Sequence, residues 1–173
     1  NIPPGKLRKS FAFMNWRDFD SELFEKIKEE AQPLPFNHTI HASDLLAKNI
    51  ISARTNARNA RVFNLIQFNV TDFGKLELPL TDSVVIINPP YGERMTGSHL
   101  NQLYSMVGER LKHHFAGNTA WVLSSSNELI QKIGLKPSLK IKLFNGSLEC
   151  SFLKFDLFEG KRKLVVIRKQ QKS

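Results

Sequence analysis

The chain has 173 residues, 41% of them hydrophobic, enough for one ordinary globular domain with a buried core. Twenty-five Lys and Arg against sixteen Asp and Glu give a formal charge of +9, which points to a polyanionic partner, nucleic acid foremost. A lone cysteine, Cys150, excludes an internal disulfide, and no apolar run has the length of a membrane span or signal peptide, so a cytoplasmic protein without a membrane partner is expected.

The opening "NIPPGKLRKSFAFMNW" places three Gly or Pro residues in its first five positions and three basic residues by Lys9, which predicts a looped entry. Phe19, Leu23, Ile27 and Ala31 then recur at steps of four, with Ser21 and Glu22 near the start and Pro33 and Pro35 beyond the end, and predict an amphipathic helix. "NHTIHASD" (37–44) reads as a short strand. In the helix that follows it, Leu46, Ile50, Ala53 and Ala57 share one face and Arg54, Arg58 and Arg61 another. Those arginines are open to two readings, a solvated face or a nucleic-acid contact.

"FNLIQFNV" and "TDSVVIIN" predict two more strands, the latter apolar at four consecutive positions, as burial on both faces would require. Leu100, Leu103, Val107 and Leu111 mark another helix, and "NTAWVLSSS" (118–126) another strand. This alternation implies a mostly parallel α/β sheet. The tail breaks the rhythm: two strand patterns surround Asn145-Gly146 in "SLKIKLFNGSLECSFLKFDLF", a hairpin signal, and "KLVVIRK" adds a last strand or trails. The five histidines lack cysteine partners and helical i, i+4 spacing, so no metal site is expected.

Asn88-Pro89-Pro90-Tyr91 follows directly on the apolar run Val84 to Ile87. Ligands of open α/β sheets sit at the carboxyl ends of the strands, so this stretch belongs at the working edge. The two prolines have fixed φ and no amide hydrogen, which leaves a stiff rim of acceptors. The Asn88 side-chain oxygen and the Pro89 main-chain oxygen can converge on the two hydrogens of one NH2 group. Held in that way, an aromatic amine becomes pyramidal, its lone pair localises, and the positive charge of attack on an electrophile is stabilised. Tyr91 can stack on a base that has left its helix. A plain X-Pro-Pro turn capped by an aromatic is the other reading of the same four residues.

The stretch resembles the Asn/Asp-Pro-Pro-Tyr motif of S-adenosylmethionine-dependent amino-methyltransferases. Together with "FNGSLEC", "SFAFMNW" and "ASDLLAKNIISARTNARNARV", "NPPYGERM" resembles the family often labelled N6-adenine-specific DNA methylases. Its characterised members are bacterial large-subunit ribosomal RNA guanine-N2 methyltransferases, in which a THUMP RNA-binding domain precedes the catalytic domain. The resemblance implies a Rossmann-like class I methyltransferase fold with a C-terminal antiparallel hairpin, S-adenosylmethionine as cofactor and ribosomal RNA as partner, with 1–173 a single, partial catalytic domain. It makes Asn88, Pro89, Pro90 and Tyr91 catalytic, with Asn88 also near the cofactor. It matches Asp44 to the acid on the cofactor's ribose hydroxyls, where a carboxylate after such a strand suits a diol, and Asp72 to the contact with the adenine amino group, with Phe73 as a pocket wall. A helix cap remains the alternative for Asp44 and a turn residue for Asp72.

Two departures stand against the family pattern. No glycine-rich loop is present, since none of the nine glycines forms a G-x-G pair, so the first strand and helix of the fold are expected to be missing and S-adenosylmethionine binding by this stretch alone to be weak. The edges left at the vacant strand position would invite association with another chain. Leu46-Ala47 also stands where the family usually has Asp-Pro. An adenine-N6 DNA methylase presents the same NH2 chemistry and is the nearest alternative function. A noncatalytic RNA-binding fragment is the alternative from another class.

Overall fold

The structure, a computed structural model, describes residues 8, 10–31, 35–77, 82–90 and 97–158. The chain forms two compact units, Asn1–Lys75 and Leu76–Ser173. The run "KLVVIRK" and Tyr91 lie outside the described residues.

In the first unit a 3-10 turn, Ala12–Asn15, interrupts the looped entry. Phe13 packs against Phe11, Phe19 and Phe24 with ring centroids 5.2–5.9 Å apart. Helix α1, Ser21–Glu30, begins where the Asp20 carboxylate accepts from the Leu23 amide at 2.9 Å, an N-cap that satisfies one free donor of the first turn. Its predicted apolar face is not a core face: no residue of α1 is buried, and Leu23 and Ile27 are more than half exposed. Strand β1, Ile40–Asp44, leads into α2, Ala47–Asn59, and β2, Ile66–Val70, pairs with β1 in parallel from Ile40↔Ile66 to Asp44↔Val70. Ile50 and Ala57 hold the buried side of α2 as their spacing predicts, whereas Leu46, just ahead of the helix, is exposed.

The second unit carries β3, Val84–Ile87, helix α3, Gly97–His114, β4, Thr119–Ser124, helix α4, Asn127–Lys132, and the hairpin β5, Leu139–Asn145, with β6, Leu148–Asp156. Its sheet runs in the order β3-β4-β6-β5, with β3 and β4 parallel and the other two pairs antiparallel. Leu100, Tyr104, Val107 and Leu111 line the buried side of α3, and Ala120, Val122, Leu153 and Phe155 form the sheet face with which they share the core. The hairpin forms as expected, but Asn145 is already paired with Leu148, so its two-residue loop is Gly146-Ser147. Gly146 has φ 63° while Ser147 has no positive φ, the arrangement of a type II′ turn with glycine first.

Strand β3 departs from the expectation of burial on both faces. Val85 and Ile87 are half-buried, level with Ala120 and Val122 on the face shared with α3, but Val84 and Ile86 are 64% and 70% exposed. Helices α3 and α4 pack together, and among the described residues no helix of the unit covers Val84 and Ile86. Among the described residues β1 and β3 each have a paired neighbour on one side only, and the strands form two sheets.

The α3–α4 contact depends on one missing side chain. A Cβ on Gly108 would lie 1.9 Å from the carbonyl oxygen of Ile133, a backbone atom that cannot swing aside. Gly108→Ala is therefore expected to destabilise the fold by about 1–3 kcal/mol or more. Urea unfolding would register this as a lower midpoint, and an unchanged midpoint would show that the two helices separate freely.

Candidate active site

In the first unit the parallel register brings Asp44 and Asp72 to the same end of the β1-β2 pair. Asp44 is the last residue of β1, opposite Val70, and its main-chain oxygen accepts from the Thr71 amide at 3.0 Å. Its Oδ1 accepts from the Leu46 amide at 2.8 Å and from Asn49 Nδ2 at 3.0 Å, so one carboxylate oxygen ties the strand end to the start of α2. Oδ2 has no partner among the described residues. The N-cap of α2 is Leu46, so Asp44 is not itself the helix cap: its Oδ1 makes a turn just ahead of the helix.

Asp72 lies two residues beyond the end of β2 and is exposed. Its Oδ1 accepts from the Gly74 amide at 2.8 Å and its main-chain oxygen from the Lys75 amide at 2.9 Å, which builds the 3-10 turn Phe73–Lys75. Asp72 is thus a turn residue as well as a neighbour of the Asp44 end, and the turn leaves Phe73 half-buried beside it.

In the second unit Asn88 follows directly on the carboxyl end of β3. Asn88 and Pro90 are exposed and Pro89 between them is buried, so the bend is pinned by its middle residue and presents polar atoms on either side. Neither the Asn88 side chain nor the Pro89 carbonyl has a hydrogen-bond partner among the described residues. The Asn88 side chain is exposed, and the Pro89 carbonyl sits on a buried residue. At the same end of the adjacent parallel strand, the Ser124 hydroxyl is fully buried, lies 2.9 Å from the Tyr104 hydroxyl and accepts from the Ser126 amide at 3.2 Å. This bond fixes the end of β4 to α3 and was not legible in the sequence. Its only trace was a serine run after an apolar strand, with a tyrosine on the buried side of the preceding helix.

Parallel βα units with carboxylates and acceptors at the carboxyl ends of their strands are the arrangement of Rossmann-like α/β folds. Among the described residues no group of His, Cys, Asp and Glu could hold a metal ion. Residues 1–154 match the family described as UPF0020, RMKL-like, methyltransferase domain, and the chain belongs to that family. It is 36% identical over 159 residues to "Ribosomal RNA large subunit methyltransferase K/L" of Shewanella amazonensis, an alignment that covers 88% of this chain and 22% of that relative. The chain thus spans about a fifth of the length of such relatives. SMU.472, whose crystal structure holds SAH, superposes with a TM-score of 0.78 at 28% identity, over 93% of this chain and 43% of that one. A protein described as a predicted N6-adenine-specific DNA methylase from Listeria monocytogenes superposes at 0.67 with 25% identity, over 87% and 40%. The fold is that of the Rossmann-like methyltransferases.

Proposed function

We propose that the two units are parts of one catalytic domain that transfers a methyl group from S-adenosylmethionine to the exocyclic amine of a nucleobase, guanine N2 of large-subunit ribosomal RNA. The observation that carries this reading is the acceptor pair after β3, the Asn88 side chain and the Pro89 carbonyl, both without a partner among the described residues. A pair of acceptors on a proline-stiffened bend suits an NH2 group and nothing anionic.

The residues of the first unit suit the cofactor. The free Asp44 oxygen is a charge-assisted acceptor for a ribose diol, and its partner oxygen already fixes the carboxylate's direction. Asp72 and Phe73 supply an acceptor and a ring for the adenine. When bound, S-adenosylmethionine supplies a methyl group activated by a sulfonium. Asn88 and Pro89 hold both amine hydrogens, direct the nitrogen lone pair at that methyl, and stabilise the positive charge until a proton leaves the nitrogen. Tyr91 stacks on the extruded base. The open edges of β1 and β3 would accept further strands. No helix among the described residues is long and apolar enough to cross a membrane, and a ribosomal RNA substrate would be met in the cytoplasm.

Labelled methyl transfer by the full-length protein separates the readings. Incorporation into unmodified large-subunit ribosomal RNA, with the label recovered as N2-methylguanine, is the expected result. Incorporation into duplex DNA would favour the adenine-N6 reading, which the Listeria neighbour's description supports. RNA binding with no transfer to either would leave a noncatalytic module.

A further inference from the structure

We propose that the arginine side of the first unit, Arg54, Arg58 and Arg61, is a track for the sugar–phosphate backbone of the RNA, outside the methyl-transfer site. This inference rests on the RNA reading above and adds to it a surface that the transfer chemistry does not use. Between Asp44 and Asp72 the chain has no acidic residue, yet it carries Lys48, Arg54, Arg58 and Arg61. A solvated helix face normally mixes both signs of charge, and this one does not.

Two of the arginines are held in place without their donors being used. The Arg58 guanidinium carbon lies 4.5 Å from the Phe63 ring centroid and that of Arg54 lies 5.8 Å from Phe68, while the two rings stack on each other at 5.8 Å and 24°. Contact with a ring face leaves the N–H groups of a guanidinium free. Neither arginine has an ion pair or hydrogen bond among the described residues, and both are exposed. The aromatic pair thus restricts two long side chains in advance of binding, which lowers the entropy cost of fixing them on phosphates. Four residues along a helix advance about 6 Å, so Arg54 and Arg58 can engage successive positions of one strand.

Arg61 supplies an independent observation. It has φ 57°, in the left-handed region, at the position just past the end of α2. The Val62 amide donates to Ala57 O and the Arg61 amide to Arg58 O, both at 2.9 Å, the two bonds of a Schellman cap. Glycine is the residue this position favours, because a Cβ is strained there. The sequence instead keeps a third cation there, just past the end of α2 remote from Asp44. The helix dipole favours a cation here, but by no more than the strain costs, and a polyanion on this surface gives the cation a further use.

The test uses the full-length protein and unmodified large-subunit ribosomal RNA made by transcription, with affinity measured across a salt series. R54Q/R58Q is expected to bind this RNA about tenfold more weakly, with a slope of log affinity against log salt shallower by about 1.5–2, while S-adenosylmethionine affinity is unchanged. Arg61→Gly is expected to raise the thermal midpoint and yet lower RNA affinity several-fold, an opposition that a misfolded variant cannot produce. If the wild type binds and methylates the RNA while both variants keep its affinity and salt slope, the track is wrong and the RNA reading stands; an acidic protein surface would then be the better partner for these arginines. If the wild type has no affinity for the RNA, the RNA reading falls and the track with it.

Discussion

Asn88→Ala, made in the full-length protein, is expected to lower turnover about 10²–10³-fold while leaving cofactor affinity within about twofold. The size follows from the role. In the resting amine the lone pair belongs to the ring, so the Asn88 oxygen gains most of its interaction as the nitrogen becomes pyramidal and charged. An interaction made mainly in the transition state is lost from kcat and not from binding. The side chain is exposed and unbonded among the described residues, so its truncation leaves no buried group unsatisfied. Single-turnover methyl transfer together with calorimetry of S-adenosylhomocysteine binding measures both quantities. Parallel loss of the two would move Asn88 out of the amine site and into the cofactor site.

Asp44→Asn is expected to do the reverse, weakening cofactor affinity about 10- to 100-fold, the worth of a charge-assisted hydrogen bond, with turnover at saturating cofactor largely kept. Asparagine retains an oxygen that can accept from the Leu46 amide, as Asp44 Oδ1 does at 2.8 Å. The start of α2 therefore survives and only the charge on the free side is removed. An unaltered affinity would mean that Asp44 serves the helix alone. A fall in affinity matched by a fall in the thermal midpoint would trace the effect to the lost anchor.

The Asp44 carboxylate also shows where sequence reading stops. Its place after a strand and before a helix suits a cap and a ligand equally, and only the structure shows that one of its oxygens takes both local bonds while the other has no partner among the described residues. Periodicity recovered three of the four α-helices among the described residues; it missed α4, whose six residues are too few to repeat an apolar face and whose start is marked only by Ser126, which accepts from the Leu129 amide at 3.3 Å. It misjudged β3, because a run of four apolar residues reports hydrophobicity and not which faces neighbouring elements will cover. Sheet order was less legible. β6 lies between β4 and β5, although β5 precedes it in the chain, because a strand returning through a two-residue loop can occupy the inner position as easily as the outer one. The Tyr104–Ser124 bond joins residues on separate elements, so no local pattern encoded it.

The Gly146-Ser147 loop has a kinetic consequence. Every pair from Asn145↔Leu148 to Leu139↔Lys154 closes a short stretch of chain, so β5 and β6 can zip from the turn on the microsecond scale of isolated hairpins. The parallel pair Val84↔Thr119 must first close a far longer loop, paying its entropy before any contact rewards it. The end of the second unit nearest the carboxyl terminus is therefore the part able to organise first. The edge bearing Asn88 is completed only when β4 finds both the finished ribbon and the distant strand β3.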